Sequence, residues 1–270
     1  MSAEPAIEVA GAARLADAFA SAAGRAALMP YLMGGFPSLD ASRAIGEACV
    51  ANGADVLELG VPYSDPLADG PVIHAAGTEA LARGVRVAQG LDVAAALAAQ
   101  VPVVLMCYTN LVLAAGPERF AARLAEAGAS GLIVPDLPFE EAPEILAACD
   151  AAGVALVPLV APTTTAERLA TIGARARGFM YTVSVVGTTG ERLALADRFA
   201  EIIAPARAAT SVPVALGFGI STPDHARQAA EAGADGVIVG TRLVRAAGEA
   251  DDPAAAVGEL VAGLAAALRP

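Results

Sequence analysis

The sequence of 270 residues is 56% hydrophobic and 17% charged, with a formal net charge of −12. This composition is too apolar for disorder and allows a large core, and the acidic balance disfavours nucleic-acid binding, which needs a basic face. Three cysteines without Cys-x-x-Cys spacing predict reduced thiols and a cytoplasmic location. Two histidines are too few for a histidine-based metal site, and we expect no metal.

The first predicted element is an amphipathic helix over 14–23, which could cover one end of the fold. Further along, residues 93–117 carry no charge and are long enough to span a bilayer. Polar residues and Pro102 interrupt this stretch. We therefore interpret it as an alanine-rich helix, a break at Pro102 and a buried strand over 103–106, not as a membrane span.

A helix-to-strand junction recurs along the chain. In each copy an alanine-rich helix ends in a glycine, which can adopt a positive φ as a C-cap, and a short β-branched run follows. The glycines of these junctions are Gly53, Gly128, Gly153 and Gly233. With the gaps filled, candidate strands lie at 27–33, 56–59, 103–107, 131–134, 154–159, 179–183, 213–216 and 236–239.

These βα units predict a (β/α)8 TIM barrel with an extra N-terminal helix, formed as a single domain over residues 1–270. The strands are near-continuous apolar runs, as expected for strands that are buried on both faces. A doubly wound open sheet is the alternative, and it is disfavoured because no Gly-x-Gly-x-x-Gly motif follows the first strand. Because active sites of barrels lie at the C-terminal ends of the strands, polar and glycine-rich strand ends are the candidate sites.

Carboxylates cluster at the end of the second candidate strand. Glu58 lies within an apolar run, where an unpaired carboxylate is costly to desolvate, and Asp65 and Asp69 lie in a loop rich in Pro and Gly. A strand-end carboxylate that faces carboxylates on a stiff loop can perform general acid–base chemistry. The alternatives are a solvated strand end or an ion pair for Glu58, and turn formation for Asp65 and Asp69.

Glycines follow the sixth, seventh and eighth candidate strands. They allow backbone N–H groups to approach an anion, and barrels commonly bind phosphate at the loops after the last two strands. Gly219, Gly240 and Thr241 occupy those loop ends. No Gly-x-x-x-x-Gly-Lys loop is present, so a nucleoside triphosphate is not expected. The residues thus predict an enzyme for a small phosphorylated substrate, and leave isomerases, aldolases and lyases open.

The run LELGVPYSDPLADGP at 57–71 closely resembles the signature of the tryptophan synthase alpha subunit family. The resemblance covers nearly the whole chain, and includes MCYTN at 106–110, PDLP at 135–138 and GFGIS at 217–221. It implies a lyase of tryptophan biosynthesis, which cleaves indole-3-glycerol phosphate to indole and glyceraldehyde 3-phosphate in a retro-aldol reaction.

By this resemblance, Glu58 is the acid–base group at indole C3 and at the glycerol hydroxyl, and Asp69 stabilises the positive charge beside the indole N–H. Tyr181 would line the site near both acids. The resemblance also assigns a set of residues to the substrate and its phosphate: Tyr31, Tyr108, Gly190, Gly219, Gly240 and Thr241.

The loop after the sixth candidate strand would be a lid, in which Thr189 bonds to Asp69 when the lid closes. The implied partner is the beta subunit, in an alpha2-beta2 assembly, with Asp65 at the contact between subunits. The beta subunit carries pyridoxal phosphate, and the alpha chain needs no cofactor. Two alternatives stay open: a stand-alone lyase that releases free indole, and a degenerate subunit that only activates the beta chain.

Overall fold

Parallel strands form a single sheet in a computed structural model that describes residues 9–22, 24–184 and 195–269. The strands are β1 (Ala27–Met33), β2 (Leu57–Gly60), β3 (Val103–Met106), β4 (Gly131–Ile133), β5 (Ala155–Val157), β6 (Leu159–Val160), β7 (Met180–Val183), β8 (Val214–Gly217) and β9 (Gly236–Val239). Their order in the sheet is β5-β4-β3-β2-β1-β9-β8-β7-β6. β1 pairs with both β2 and β9, so the first and last strands are neighbours.

β5 and β6 occupy a single strand position, because only Pro158 separates them. The sequence predicts one strand over 154–159, but proline has no N–H to donate to a neighbouring strand and interrupts the ladder. The Pro158 carbonyl still accepts a hydrogen bond of 3.0 Å from the Tyr181 N–H. The strands therefore form a nearly closed barrel, which confirms the predicted (β/α)8 architecture and contradicts the open sheet.

Helices alternate with the strands. They are α1 (Ala10–Ser21), α2 (Leu39–Ala51), α3 (Pro71–Ala82), α4 (Val87–Ala98), α5 (Thr109–Ala115), α6 (Pro117–Glu126), α7 (Pro143–Ala152), α8 (Ala166–Ala174), α9 (Leu195–Ala209), α10 (Pro223–Glu231), α11 (Thr241–Glu249) and α12 (Pro253–Ala267). The glycines of the recurring junction have φ values between 72° and 103°, which confirms the predicted helix ends. The stretch 93–117 divides among α4, β3, α5 and the start of α6, and no helix of the described residues could cross a membrane.

The core of the barrel has an inner and an outer layer, because successive side chains of a strand face opposite sides. The outer layer packs between the sheet and the helices. The inner layer fills the barrel with residues that lie within a strand or immediately before one: Met29, Val56, Val104, Ile133, Ala155, Phe179, Ala215 and Ile238. The position two residues further along each strand points towards the C-terminal mouth, where the sequence places the candidate site.

α1 closes the N-terminal end of the barrel. The sequence predicts a helix over 14–23, and the structure confirms it with bounds of Ala10–Ser21. Leu15 is fully buried among the inner-layer residues. A Cβ at Gly11 would lie 2.0 Å from the Ser130 carbonyl oxygen, so the absent side chain lets the helix approach this closely. With this end covered, the C-terminal mouth is the open end.

Candidate active site

The C-terminal mouth of the barrel holds a cavity of 530 Å³. Tyr31, Glu58, Met106 and Tyr181 line it, and each lies two positions after an inner-layer residue. Alternation along the strand therefore points all of them into the mouth. The loop between β2 and α3 contributes Asp69 to the same cavity, so the structure brings the two predicted catalytic acids together.

Glu58 is the buried acid of the cavity. Only 1% of its surface is exposed, and neither carboxyl oxygen has a hydrogen-bond partner among the described residues. The structure thus contradicts a solvated strand end, and within the described part of the chain it shows no ion pair. Burial, and to a lesser degree the charge of Asp69, raise the pKa of Glu58 from 4.5 to about 8. Glu58 is therefore mainly protonated at neutral pH and can donate a proton.

Asp69 has the more polar surroundings of the two acids. Its Oδ1 accepts a hydrogen bond of 2.9 Å from the Tyr108 hydroxyl. Partial burial raises the pKa of Asp69, and this effect is opposed by the hydrogen bond from Tyr108 and by His74. Two carboxyls whose environments differ in this way can hold different protonation states, which acid–base catalysis requires.

The phenol side chains of Tyr31 and Tyr181 flank Glu58, and each has room for its hydroxyl because a glycine lies beside it. A Cβ at Gly60 would lie 2.0 Å from the Tyr31 hydroxyl, and a Cβ at Gly217 would lie 2.3 Å from the Tyr181 hydroxyl. Both tyrosines are buried, and burial raises the pKa of each well above its ordinary value. They are therefore neutral side chains beside the buried acid.

The rim formed by the ends of β8 and β9 has the features of an anion site. Phe218 and Gly219 have φ values of 65° and 82°, so the chain turns sharply after β8. Gly240 precedes α11, and Thr241 is the first residue of that helix. The first N–H groups of a helix have no acceptor within it and attract anions. Gly219, Gly240 and Thr241 all line the cavity, as a phosphate site next to the two acids would require.

Some predicted site residues lie elsewhere. Tyr108 is not among the residues that line the cavity; its ring is buried behind the Asp69 loop, and its hydroxyl contacts Asp69 instead. Asp65 is exposed, and one of its carboxylate oxygens accepts a hydrogen bond of 2.6 Å from the Ser64 hydroxyl. Thr189 and Gly190 lie outside the described residues.

Sequence reasoning missed the apolar part of the wall. Ile73, Met106, Phe218, Ile220 and Ile238 line the cavity, and they suit a flat aromatic ring better than a polar substrate. Strand alternation from Val104 and from the Val237–Val239 run could have identified Met106 and Ile238. No comparable periodicity marks Phe218 and Ile220 in the loop after β8, since the direction of their side chains depends on the turn that carries them.

A second cavity, of 580 Å³, lies between the loop after β4 and the start of α8. Its charged residues include Arg168, which is exposed and pairs with Glu140 at 3.0 Å. Among the described residues no group of three or more His, Cys, Asp or Glu side chains could hold a metal ion. The mouth cavity, with its buried acid, is therefore the candidate active site.

Known proteins resemble this chain over most of its length. Residues 18–266 match the family model described as tryptophan synthase alpha chain. The tryptophan synthase alpha chain of Prochlorococcus marinus is 50% identical over 83% of this chain and 82% of its own length, and that of Methanosarcina mazei is 47% identical over 84% and 83%. A structure of Mycobacterium tuberculosis tryptophan synthase has a TM-score of 0.87 and 41% identity over 95% of this chain and 98% of the other.

Proposed function

The chain belongs to the tryptophan synthase alpha chain family and cleaves indole-3-glycerol phosphate to indole and glyceraldehyde 3-phosphate, and we propose that Glu58 and Asp69 carry out this cleavage in the mouth cavity. The reaction is a lyase step of tryptophan biosynthesis. The observation that carries the proposal is the pair of acids in one cavity, one buried without a partner among the described residues and the other hydrogen-bonded.

Glu58 moves the protons. Indole is a poor leaving group until its C3 is protonated, and the protonated Glu58 donates that proton. The hydroxyl on the adjacent glycerol carbon then loses its proton, the C–O bond becomes a carbonyl, and the electron pair of the broken C–C bond returns to the indole ring. One proton enters and one leaves. Glu58, ionised by the first transfer, is thus the base for the second.

Asp69 stabilises the cation that exists between these two transfers. Protonation at C3 delocalises positive charge onto the ring nitrogen, and an ionised carboxylate beside the N–H lowers the energy of that state. The Tyr108 hydroxyl bonded to Asp69 favours the ionised form of Asp69. The negative charge of Asp69 also helps to keep Glu58 protonated.

The remaining cavity residues bind and orient the substrate. Gly219, Gly240 and Thr241 hold the phosphate through backbone N–H groups, which is how an acidic protein can bind an anion locally. The apolar wall of Met106 and Ile238 packs against the indole ring. Tyr31 and Tyr181 exclude water around Glu58 and keep its proton affinity high.

We also propose the beta subunit of tryptophan synthase as the partner, in an alpha2-beta2 assembly. Asp65 and the neighbouring Leu67, which is 91% exposed, suit a contact surface on the β2–α3 loop. The pyridoxal phosphate would belong to the beta subunit, and this chain would use no cofactor of its own. Thr189 and Gly190 would act in a lid and at the phosphate, respectively.

We propose a cytoplasmic location, because the cysteines of the described residues are free, as expected in a reducing compartment. The single sheet, with its first strand at Ala27 and its last at Val239, supports one domain over residues 1–270.

Glu58→Gln tests the assignment of the acid. We expect indole release to fall by about 10²–10⁴, the usual contribution of a general acid–base group. Asp69→Asn should also be severely impaired, because the neutral amide cannot stabilise the indole cation. Glu126→Gln, an exposed site on α6, is the matched control. Turnover of Glu58→Gln within tenfold of the control would overturn its catalytic role.

The same assay with and without purified beta subunit separates the alternatives. A large rise in turnover on addition of the beta subunit supports the assembled enzyme. Full activity of the chain alone supports a stand-alone lyase. No indole in either case would support a degenerate subunit that only activates its partner.

A further inference from the structure

Tyr108 contacts Asp69 from outside the cavity, through its side-chain hydroxyl. We propose that Tyr108 is a positioning residue, which directs a hydrogen bond at Asp69 so that this carboxylate stays ionised and correctly placed against the indole N–H. The inference rests on the proposed role of Asp69. It gives Tyr108 a role different from the predicted contact with the substrate itself.

The hydrogen bonds of Tyr108 determine where its proton points. The hydroxyl oxygen accepts the backbone N–H of Ala68 at 3.0 Å and lies 2.9 Å from Asp69 Oδ1. A phenol has a single proton to donate. Because the Ala68 N–H occupies the acceptor side, the proton is directed at Asp69. This arrangement favours a carboxylate that can accept the bond, which is the ionised form.

The ring of Tyr108 is held firmly enough to act in this way. It is 3% exposed, and it stacks on the Tyr63 ring with centroids 5.1 Å apart and planes 23° apart. The Tyr63 hydroxyl in turn accepts a hydrogen bond of 2.8 Å from the Asn110 side-chain amide. Tyr108 immediately precedes α5, whereas Ala68 and Asp69 lie on the β2–α3 loop. The two hydrogen bonds therefore fix this loop to the rigid end of β3.

Several charged or titratable groups face Asp69. Glu58 on β2 and Tyr31 on β1 interact with its charge from within the cavity, and His74 on α3 opposes the rise of its pKa, as Tyr108 does. Removing the Tyr108 hydroxyl leaves the other three groups in place. Burial then raises the pKa of Asp69 with less opposition, so Asp69 should become protonated at a higher pH.

Tyr108→Phe is the direct test, because it deletes the hydroxyl and keeps the ring that stacks on Tyr63. Asp69 must be ionised for catalysis, so the acidic limb of the pH profile of kcat/KM should move upward by about one pH unit, a tenfold change in proton affinity. The substrate phosphate titrates identically in every variant, so it does not cause the difference. At the optimum pH, kcat should fall more than KM changes, since Asp69 stabilises the cation more strongly than the neutral bound substrate.

Tyr63→Phe is the matched control. It deletes a hydroxyl from the same stacked pair, at 5.1 Å between ring centroids, but not the hydroxyl that contacts Asp69. The acidic limb of this variant should stay where it is in the unaltered protein. A Tyr108→Phe protein with lower activity but an unmoved acidic limb would overturn the inference and leave only a packing role.

A spectroscopic measurement covers the case in which Tyr108→Phe does not fold. The chain has four tyrosines, so 3-fluorotyrosine labelling yields few fluorine signals, and single substitutions assign them. The Tyr108 signal should shift with pH along the acidic limb, and Asp69→Asn should abolish that shift. A signal that does not titrate would contradict the inference. If Asp69→Asn retained normal turnover, by contrast, the proposed function of Asp69 would fail, whatever Tyr108 does.

Discussion

Glu58→Gln should change the pH dependence of stability as well as activity. In the folded protein the pKa of Glu58 is about 8, against an ordinary value of 4.5. Between these two pH values the folded state binds more protons than the unfolded state. The free energy of unfolding must therefore fall as pH rises through this window. An amide side chain does not titrate, so the Glu58→Gln variant should lack this contribution.

The expected magnitude follows from the same pKa values. At about 1.4 kcal/mol per pKa unit, a rise from 4.5 to about 8 is worth roughly 5 kcal/mol once Glu58 is fully ionised. At pH 7 the corresponding loss is roughly 3 kcal/mol, because the folded state is still mainly protonated there. Relaxation of the cavity and entry of water reduce both numbers, which makes them upper values.

Urea unfolding followed by far-UV circular dichroism is a suitable assay, because the chain has no Trp. Unfolding free energies would be compared at about pH 5 and pH 8.5 for the unaltered protein, Glu58→Gln and the exposed control Glu126→Gln. A buried amide is itself costly without a partner, but that cost does not vary with pH. A parallel loss of stability in Glu58→Gln and the control between the two pH values would refute a raised pKa for Glu58.

Three substitutions of glycine test the close contacts of the barrel. Gly11→Ala places a Cβ 2.0 Å from the Ser130 carbonyl oxygen, so α1 must shift, and urea unfolding should show a loss of about 1–3 kcal/mol. Gly90→Ala, in α4 with open space around it, should instead stabilise by about 0.5–1 kcal/mol; equal effects at both sites would contradict this account. Gly217→Ala places a Cβ 2.3 Å from the Tyr181 hydroxyl, so kcat should fall by about 10², and kinetics close to normal would show that Tyr181 can move without cost.

Strand and helix positions were predictable from the sequence because they depend on local patterns. The prediction of β9 has the observed bounds of Gly236–Val239, and Gly153 ends α7 with a φ of 73°, as expected. The strand over 154–159 is the instructive error. Its apolar run continues through Pro158. The missing N–H of Pro158 interrupts the strand only through the hydrogen bonds to a neighbouring strand, which the local pattern does not reveal.

The chemical types of the site were also predictable, but their environment was not. A carboxylate in an apolar run and glycines after the last strands point to acid–base chemistry on an anion, and the signature at 57–71 identifies the family. The sequence could not distinguish a buried Glu58 from an ion-paired one. That distinction depends on which side chains of β1, β2 and β7 meet at the mouth, and on the absence of partners for Glu58 among the described residues.

The sequence by itself thus determined the barrel and the family and predicted the acids, since strand periodicity, turn glycines and a dense local signature are properties of short segments. Only the tertiary structure decided how protons are distributed among those acids. The pKa of Glu58 near 8 results from burial and from the charge of Asp69, and the contact of Tyr108 with Asp69 joins residues 39 positions apart. Desolvation and charge interactions depend on distance in space, so they arise only when the barrel closes and brings these strand ends together.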